Sequence, residues 1–200
     1  MSICLLMIGD GRDEYHERAL ASVKEHIGLD KFDQAITVDD SDHVLGFAGA
    51  IQHGWDQLRP DVDYLMHVEL DFTFNWPVDL EPIIQTLRER RYLTQIALLR
   101  NPVNDAEREV GGVIQQFPDS YTQVELPDGR AWVEHSRFFT TNPCVYPRWV
   151  ADRGWPQRPE SEGHFSMHLF NEDPARRSAF WGHGEQWVKH IGDERAGKGY

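Results

Sequence analysis

Glu69-Leu70-Asp71 carries the most specific chemistry in this sequence. The triplet closes an apolar segment that begins at Asp63 and reads as a strand. Alternation along a strand sends residues i and i+2 to one face, so Glu69 and Asp71 are expected side by side. Two adjacent carboxylates repel unless a cation or solvent compensates. Mg²⁺ or Mn²⁺, held by one or two carboxylates and by the phosphates of a substrate, is the usual compensation; a solvated strand end is the plain alternative. Three further polar clusters end apolar segments in the same way: Gly9-Asp10-Gly11-Arg12, Asp39-Asp40-Ser41 and Arg100-Asn101-Pro102.

These clusters need a scaffold, and the first hundred residues spell one. Ile3 to Ile8 is continuously apolar, the signature of a strand buried on both faces. Tyr15, Ala19, Val23 and Ile27 then recur every four residues, with Asp13 and Glu14 where a helix dipole favours negative charge. Ala35–Val38 is a second strand. Val44, Phe47, Ala48, Ile51, Trp55 and Leu58 form a second helical stripe, ended by Arg59-Pro60. After the strand at 63–71 come a third helix at Leu80–Leu87 and a fourth strand at Thr94–Leu99. Four rounds of strand and helix predict a parallel, doubly wound sheet whose ligands lie beyond the carboxyl ends of the strands.

The second hundred residues read as a mixed, partly antiparallel continuation. Gly112–Phe117, Gln123–Leu126 and Ala131–Phe139 have strand-like composition, Asp128-Gly129 signals a hairpin, and Glu162–Phe170 a short helix. The tail from Gly182 to Tyr200 is anchored by Trp187, Val188 and Ile191. The expectation is one α/β domain over residues 1–200, with a nucleotide-binding half (1–100) and an acceptor half with its tail (101–200).

Charge sharpens the picture. The chain has 33 acidic and 20 basic residues, a net of −13, and residues 1–80 alone hold 16 acidic and five basic side chains. Lys and Arg are too few for broad binding to nucleic acid backbones. An acidic edge is, however, suited to a divalent cation. No apolar run approaches the ~20 residues of a membrane span, and no basic segment precedes Ile3 as in a secretory signal. Two cysteines, Cys4 and Cys144, make neither a disulfide framework nor a CxxC zinc site, which predicts a reducing, cytoplasmic setting.

The order strand, helix, Val38-Asp39-Asp40-Ser41, helix, acid-x-Asp resembles the family-2-like glycosyltransferases of the GT-A fold, over residues 3–100 and at scattered positions of 155–195. That resemblance implies transfer of a sugar from a nucleotide diphosphate donor, most commonly a uridine diphosphate sugar, with a Mn²⁺ or Mg²⁺ cofactor. By position, Asp71 is the implied metal ligand and Glu69 a second carboxylate toward metal or ribose. Asp39 or Asp40 is the implied nucleoside contact, Gly9 to Arg12 the loop against the nucleotide, and Arg100 a further donor contact. Family members place a Glu-Asp pair ahead of a short helix, and its acid deprotonates the acceptor. Glu162 matches that acid, and Gly163 replaces the Asp. One base opposite the leaving group implies inversion. A His near the C-terminus joins the metal or diphosphate; His190 is the candidate, with His183 second. The His-Ile-Gly tail and the length also resemble small phage-encoded glycosyltransferases, which would work in a host cytoplasm. That adds a hydroxymethylated DNA base to the acceptor classes of small molecule, glycan and protein, and the net charge ranks it below them.

Rival readings keep their place. A nucleotidyltransferase needs a Gly-rich loop with following Arg and Lys, which Gly9-Asp10-Gly11-Arg12 half supplies. A non-catalytic module that binds sugar nucleotides accords with Gly163. His164 and His168, spaced i, i+4, lack a third ligand at zinc spacing. Trp149, Trp155 and Trp181 suit either a sugar platform or the core.

Overall fold

The continuous apolar run at the N-terminus becomes β1 (Ile3–Gly9), a central strand buried along its whole length. Its side chains alternate between two cores: Ile3, Leu5 and Met7 enter one, and Cys4, Leu6 and Ile8 enter the other. This is why no polar residue interrupts it: both faces of the sheet are covered. The computed structural model describes residues 1–192. The last part of the tail, residues 193–200, lies outside the described residues.

Helix α1 (Asp13–His26) follows β1, and β2 (Gln34–Asp39) returns parallel to it. Helix α2 (Gly46–Asp56) leads to β3 (Tyr64–Glu69), which pairs in parallel with the other edge of β1. After a short strand β4 (Phe72–Phe74), α3 (Leu80–Glu89) and β5 (Leu93–Ala97) complete the strand-helix alternation. Two short helices, α4 (Asp105–Val110) and α5 (Val113–Gln116), cross to the hairpin of β6 (Thr122–Glu125) and β7 (Ala131–His135). Then come β8 (Cys144–Pro147), α6 (Arg148–Ala151), α7 (Ser161–Glu172), β9 (Arg177–Trp181) and β10 (Val188–His190).

Among the described residues, one eight-stranded sheet runs through both halves in the order β2-β1-β3-β8-β5-β9-β7-β6. Six strands point one way, and β7 and β8 oppose them. Apolar residues of α1 and α3 share one core, and those of α2 and α7 share the other. The expected mixed α/β sheet is thus observed, with its antiparallel part in the second half.

Three local expectations are corrected. Gly112–Phe117 is helical over Val113–Gln116 rather than a strand: Gly111 and Gly112 take positive φ and end α4 before α5 begins. The third strand stops at Glu69, and Leu70-Asp71 is a turn into β4. Strand β5 does not neighbour β3, because β8 lies between them, antiparallel to both.

The core on the α2 side holds a buried polar relay. Trp55 Nε1 donates to Tyr146 Oη at 2.9 Å, and Tyr146 Oη lies 3.3 Å from His67 Nδ1. Burial depresses His67 to about 3, so it is a neutral core histidine. Cys4 and Cys144 are both buried and free. Among the described residues no helix is long and apolar enough to cross a membrane.

Candidate functional site

The end of β3 divides two carboxylates between two places. Glu69 has the strand parity of Leu65, which belongs to the core on the α2 and α7 face. It lines a cavity of about 470 Å³ together with Arg100, Glu107 and Glu162. The turn at Leu70-Asp71 ends the alternation and sends Asp71 toward the C-terminal segment. There β10 pairs antiparallel with β4, His190 opposite Phe72, and Ile191 N–H donates to Asp71 O at 2.7 Å. His190 Nε2 then lies 3.3 Å from Asp71 Oδ2, with both side chains part-buried. His190 N–H donates to Asn101 Oδ1 at 2.7 Å, tying this segment to the end of β5 as well.

Gly192 completes this corner. A Cβ there would fall 2.7 Å from His190 Nε2 and 2.8 Å from Asp71 Oδ2, closer than a carbon can approach. The backbone therefore passes tightly over the pair. One carboxylate and one imidazole suit Mn²⁺ or Mg²⁺ shared with substrate phosphates and water. Among the described residues no three His, Cys, Asp or Glu side chains gather as a metal group, so Glu69 is not brought to the Asp71–His190 pair. The residues fit a cation bridged to its substrate, not one caged by protein alone.

The loops expected against a nucleotide meet at the ends of β1 and β2. Gly11, at φ +84°, packs on Ser41, which a Cβ would strike at 2.4 Å. Asp40 N–H donates to Gly9 O at 3.0 Å. Asp40 is buried, and its carboxylate accepts from the amides of Val44, Leu45 and Gly46 at 2.7–3.0 Å. It shapes the entry to α2, whereas Asp39 is exposed at the strand end. Arg12 is bound to Asp10 through Nε at 2.6 Å and through a second guanidinium contact. Leu70 lies against Gly9, where a Cβ would meet its Cδ1 at 1.8 Å. None of these loop residues lines the cavity of Glu69 and Glu162.

Glu162 stands in the first turn of α7 on the far wall of that cavity. Its Oε1 accepts from Thr141 N–H at 2.8 Å and from the Thr141 hydroxyl at 3.2 Å. Both bonds go to one oxygen. Burial raises its pKa; the Thr141 and Thr140 donors and the Arg100 charge pull it back only in part. A carboxylate raised in this way is a stronger base than a solvated one. Gly163 follows it with open space in place of a second carboxylate.

Arg100 is held by a residue the sequence reading missed. Its Nη1 and Nη2 donate to the two oxygens of Glu107 at 2.7 and 3.2 Å. Glu107 also accepts from Asn104 Nδ2 and Val103 N–H. Burial works to raise the Glu107 carboxyl, but Arg100 and these donors outweigh it and hold it low. The sequence signal was Asn104-x-x-Glu107, a helix-capping pattern. Thr141 was also missed, because nothing local marks a threonine that will face Glu162. Of the other candidates, His183 lies beside Glu125, and Trp155 is buried against Trp55 and Phe165. His164 is paired with Arg158.

No family profile matches the sequence, and no curated protein matches it. Solved structures do. Residues 1–349 of TarS from S. aureus superpose with a TM-score of 0.55 at 11 % identity, covering 94 % of this chain and 60 % of that one. The same TarS segment in complex with UDP gives 0.55 at 12 % identity with the same coverage. The protein A197 from STIV gives 0.51 at 11 % identity, covering 90 % of this chain and 81 % of its own. The chain spans about 60 % of the TarS segment. TarS is a GT-A-like glycosyltransferase, and the likeness to it covers 94 % of the chain. The chain therefore has a glycosyltransferase-like fold.

Proposed function

We propose that this protein transfers a sugar from a nucleotide diphosphate donor, a UDP-sugar foremost, to an acceptor hydroxyl. The observation that carries the reading is the arrangement around the end of β3: the Asp71–His190 pair on one side and the cavity shared by Glu69 and Glu162 on the other. The UDP complex of TarS, which has a similar fold, supports a uridine diphosphate donor.

Each residue then has a part. Asp71 and His190 would hold Mn²⁺ or Mg²⁺ against the donor diphosphate, and that cation would neutralise the charge of the leaving group. The loops Gly9–Arg12 and Asp39–Ser41 border the nucleoside, with Asp39 as the available carboxylate. Glu69 lies between this edge and the cavity, toward the ribose or the sugar. Arg100, fixed by Glu107, sets a positive charge beside the reacting centre. Glu162, steadied on Oε1 by Thr141, takes the acceptor proton on Oε2. The acceptor oxygen bonds to the anomeric carbon as the bond to the diphosphate breaks. With a single base opposite the leaving group, the anomeric configuration inverts.

The test is a thermal-shift titration with UDP, with and without Mn²⁺, followed by UDP release from a panel of UDP-sugars. A ligand at ~100 times its Kd raises stability by about 2.7 kcal/mol, which is readily seen. Absence of any Mn²⁺-linked UDP shift sinks the donor and metal assignment. A product of retained configuration sinks the single-base mechanism.

A further inference from the structure

The cavity beside Glu162 also speaks about the acceptor. None of its lining residues comes from the nucleotide loops; apart from Glu69 and Phe47, it is built from the end of β5 and the second half of the chain. It is the space left for the acceptor. At about 470 Å³ it has the volume of a small-molecule site, ~300–1,000 Å³.

Several of its polar groups are already engaged with one another. Arg100 and Glu107 bind each other. The Ser166 hydroxyl accepts from Phe139 N–H at 2.7 Å and donates to Glu162 O at 2.8 Å. The Thr141 hydroxyl donates to Glu162, and the Thr140 hydroxyl accepts from Asn142 N–H. The groups left to meet a ligand's oxygen are the Glu162 carboxylate, the Asn142 amide and the Arg100 N–H groups not taken by Glu107 or Asn101. The other walls are apolar: Phe47, Leu99, Val113, Phe138 and Phe180.

A glycan acceptor brings several hydroxyls, and each left unpaired in such a site costs about 1–3 kcal/mol. An anion is disfavoured as well, since three carboxylates line the cavity against one guanidinium. A flat ring, by contrast, meets the phenylalanines that line the cavity, Phe47, Phe138 and Phe180, and needs a partner only for its reacting hydroxyl. We infer that the acceptor is an uncharged aromatic alcohol, a ring bearing one hydroxyl or hydroxymethyl group, seated against Phe138 with that oxygen at Glu162. This rests on the sugar-transfer reading for its chemistry but not for its binding.

The experiment therefore has a binding arm and a transfer arm, both on the full chain. In saturation-transfer NMR without donor, benzyl alcohol should bind at least tenfold better than methyl glucoside, and Phe138→Ala should abolish the difference. If Phe138→Ala fails to fold by circular dichroism, Phe138→Leu keeps the volume, loses the flat face and should weaken benzyl alcohol several-fold. In the transfer arm, with Mn²⁺ and whichever UDP-sugar stabilises the protein, benzyl alcohol should raise UDP release at least tenfold over methyl glucoside. Equal or better binding of methyl glucoside, or benzyl alcohol binding untouched in folded Phe138 variants, overturns the inference. UDP-sugar binding with glucoside as the better acceptor also overturns it while leaving sugar transfer intact. Aromatic binding without any UDP-sugar binding removes the transferase reading instead and leaves the pocket assignment standing.

Discussion

Replacing Thr141 by Val separates the two hydrogen bonds that Thr141 gives Glu162. The backbone N–H, 2.8 Å from Oε1, survives the change, and the hydroxyl at 3.2 Å is lost. Thr141 is buried, and Val has nearly its shape, so packing is kept. A hydroxyl at that distance is long for its kind, and its bond to a carboxylate is worth about 1 kcal/mol, below the ~1.5–3 kcal/mol of a well-formed bond to a charged group. The bond favours the ionised form, so its loss raises the Glu162 pKa further. Glu162 must be ionised to accept a proton. The acid limb of the kcat/KM profile for UDP release therefore moves to higher pH. On the acid limb the rate falls about fivefold, and on the plateau it is nearly unchanged. Thr141→Ser restores the hydroxyl and should return the midpoint to its original pH. A midpoint that stays put or moves down in Thr141→Val refutes the reasoning. An equal loss at every pH would mean that Thr141 acts through packing alone.

Four further changes probe the rest of the site. Glu162→Gln should cut transfer ~10²–10⁴-fold while leaving UDP binding intact. Because the folded-state pKa of Glu162 is raised, its ionisation opposes folding as pH rises through that range, so the variant should melt no lower than wild type at neutral pH; a clear fall in Tm would contradict this. Gly192→Ala puts a Cβ within 2.7–2.8 Å of the Asp71–His190 pair and should weaken the Mn²⁺-linked UDP shift at least tenfold, as Asp71→Ala should abolish it. An undiminished shift in isothermal titration would dismiss this pair. Gly9→Ala sets a Cβ 1.8 Å from Leu70 Cδ1 and should cost about 1–3 kcal/mol by overpacking, read as a lower urea midpoint.

What could be read locally was read from periodicity. The unbroken apolar run of β1 and the stripes of α2 and α3 announce their environments, because a strand buried on two faces and a helix buried on one impose their own spacing. The acids at the ends of β2 and β3 followed from the same reasoning. Alternation failed one residue past Glu69, because a turn, set by Leu70 packing on Gly9, ends the strand there. The tertiary structure alone decided which side chains meet. Asp71 reaches His190 only because β10 pairs with β4, and Glu162 faces Glu69 only because β8 enters between β3 and β5 and carries Thr141 to the cavity. A strand's sequence specifies its two faces through side-chain polarity. Its backbone edges offer the same donors and acceptors to any partner, so the neighbours that build a site are chosen by the packing of the whole sheet.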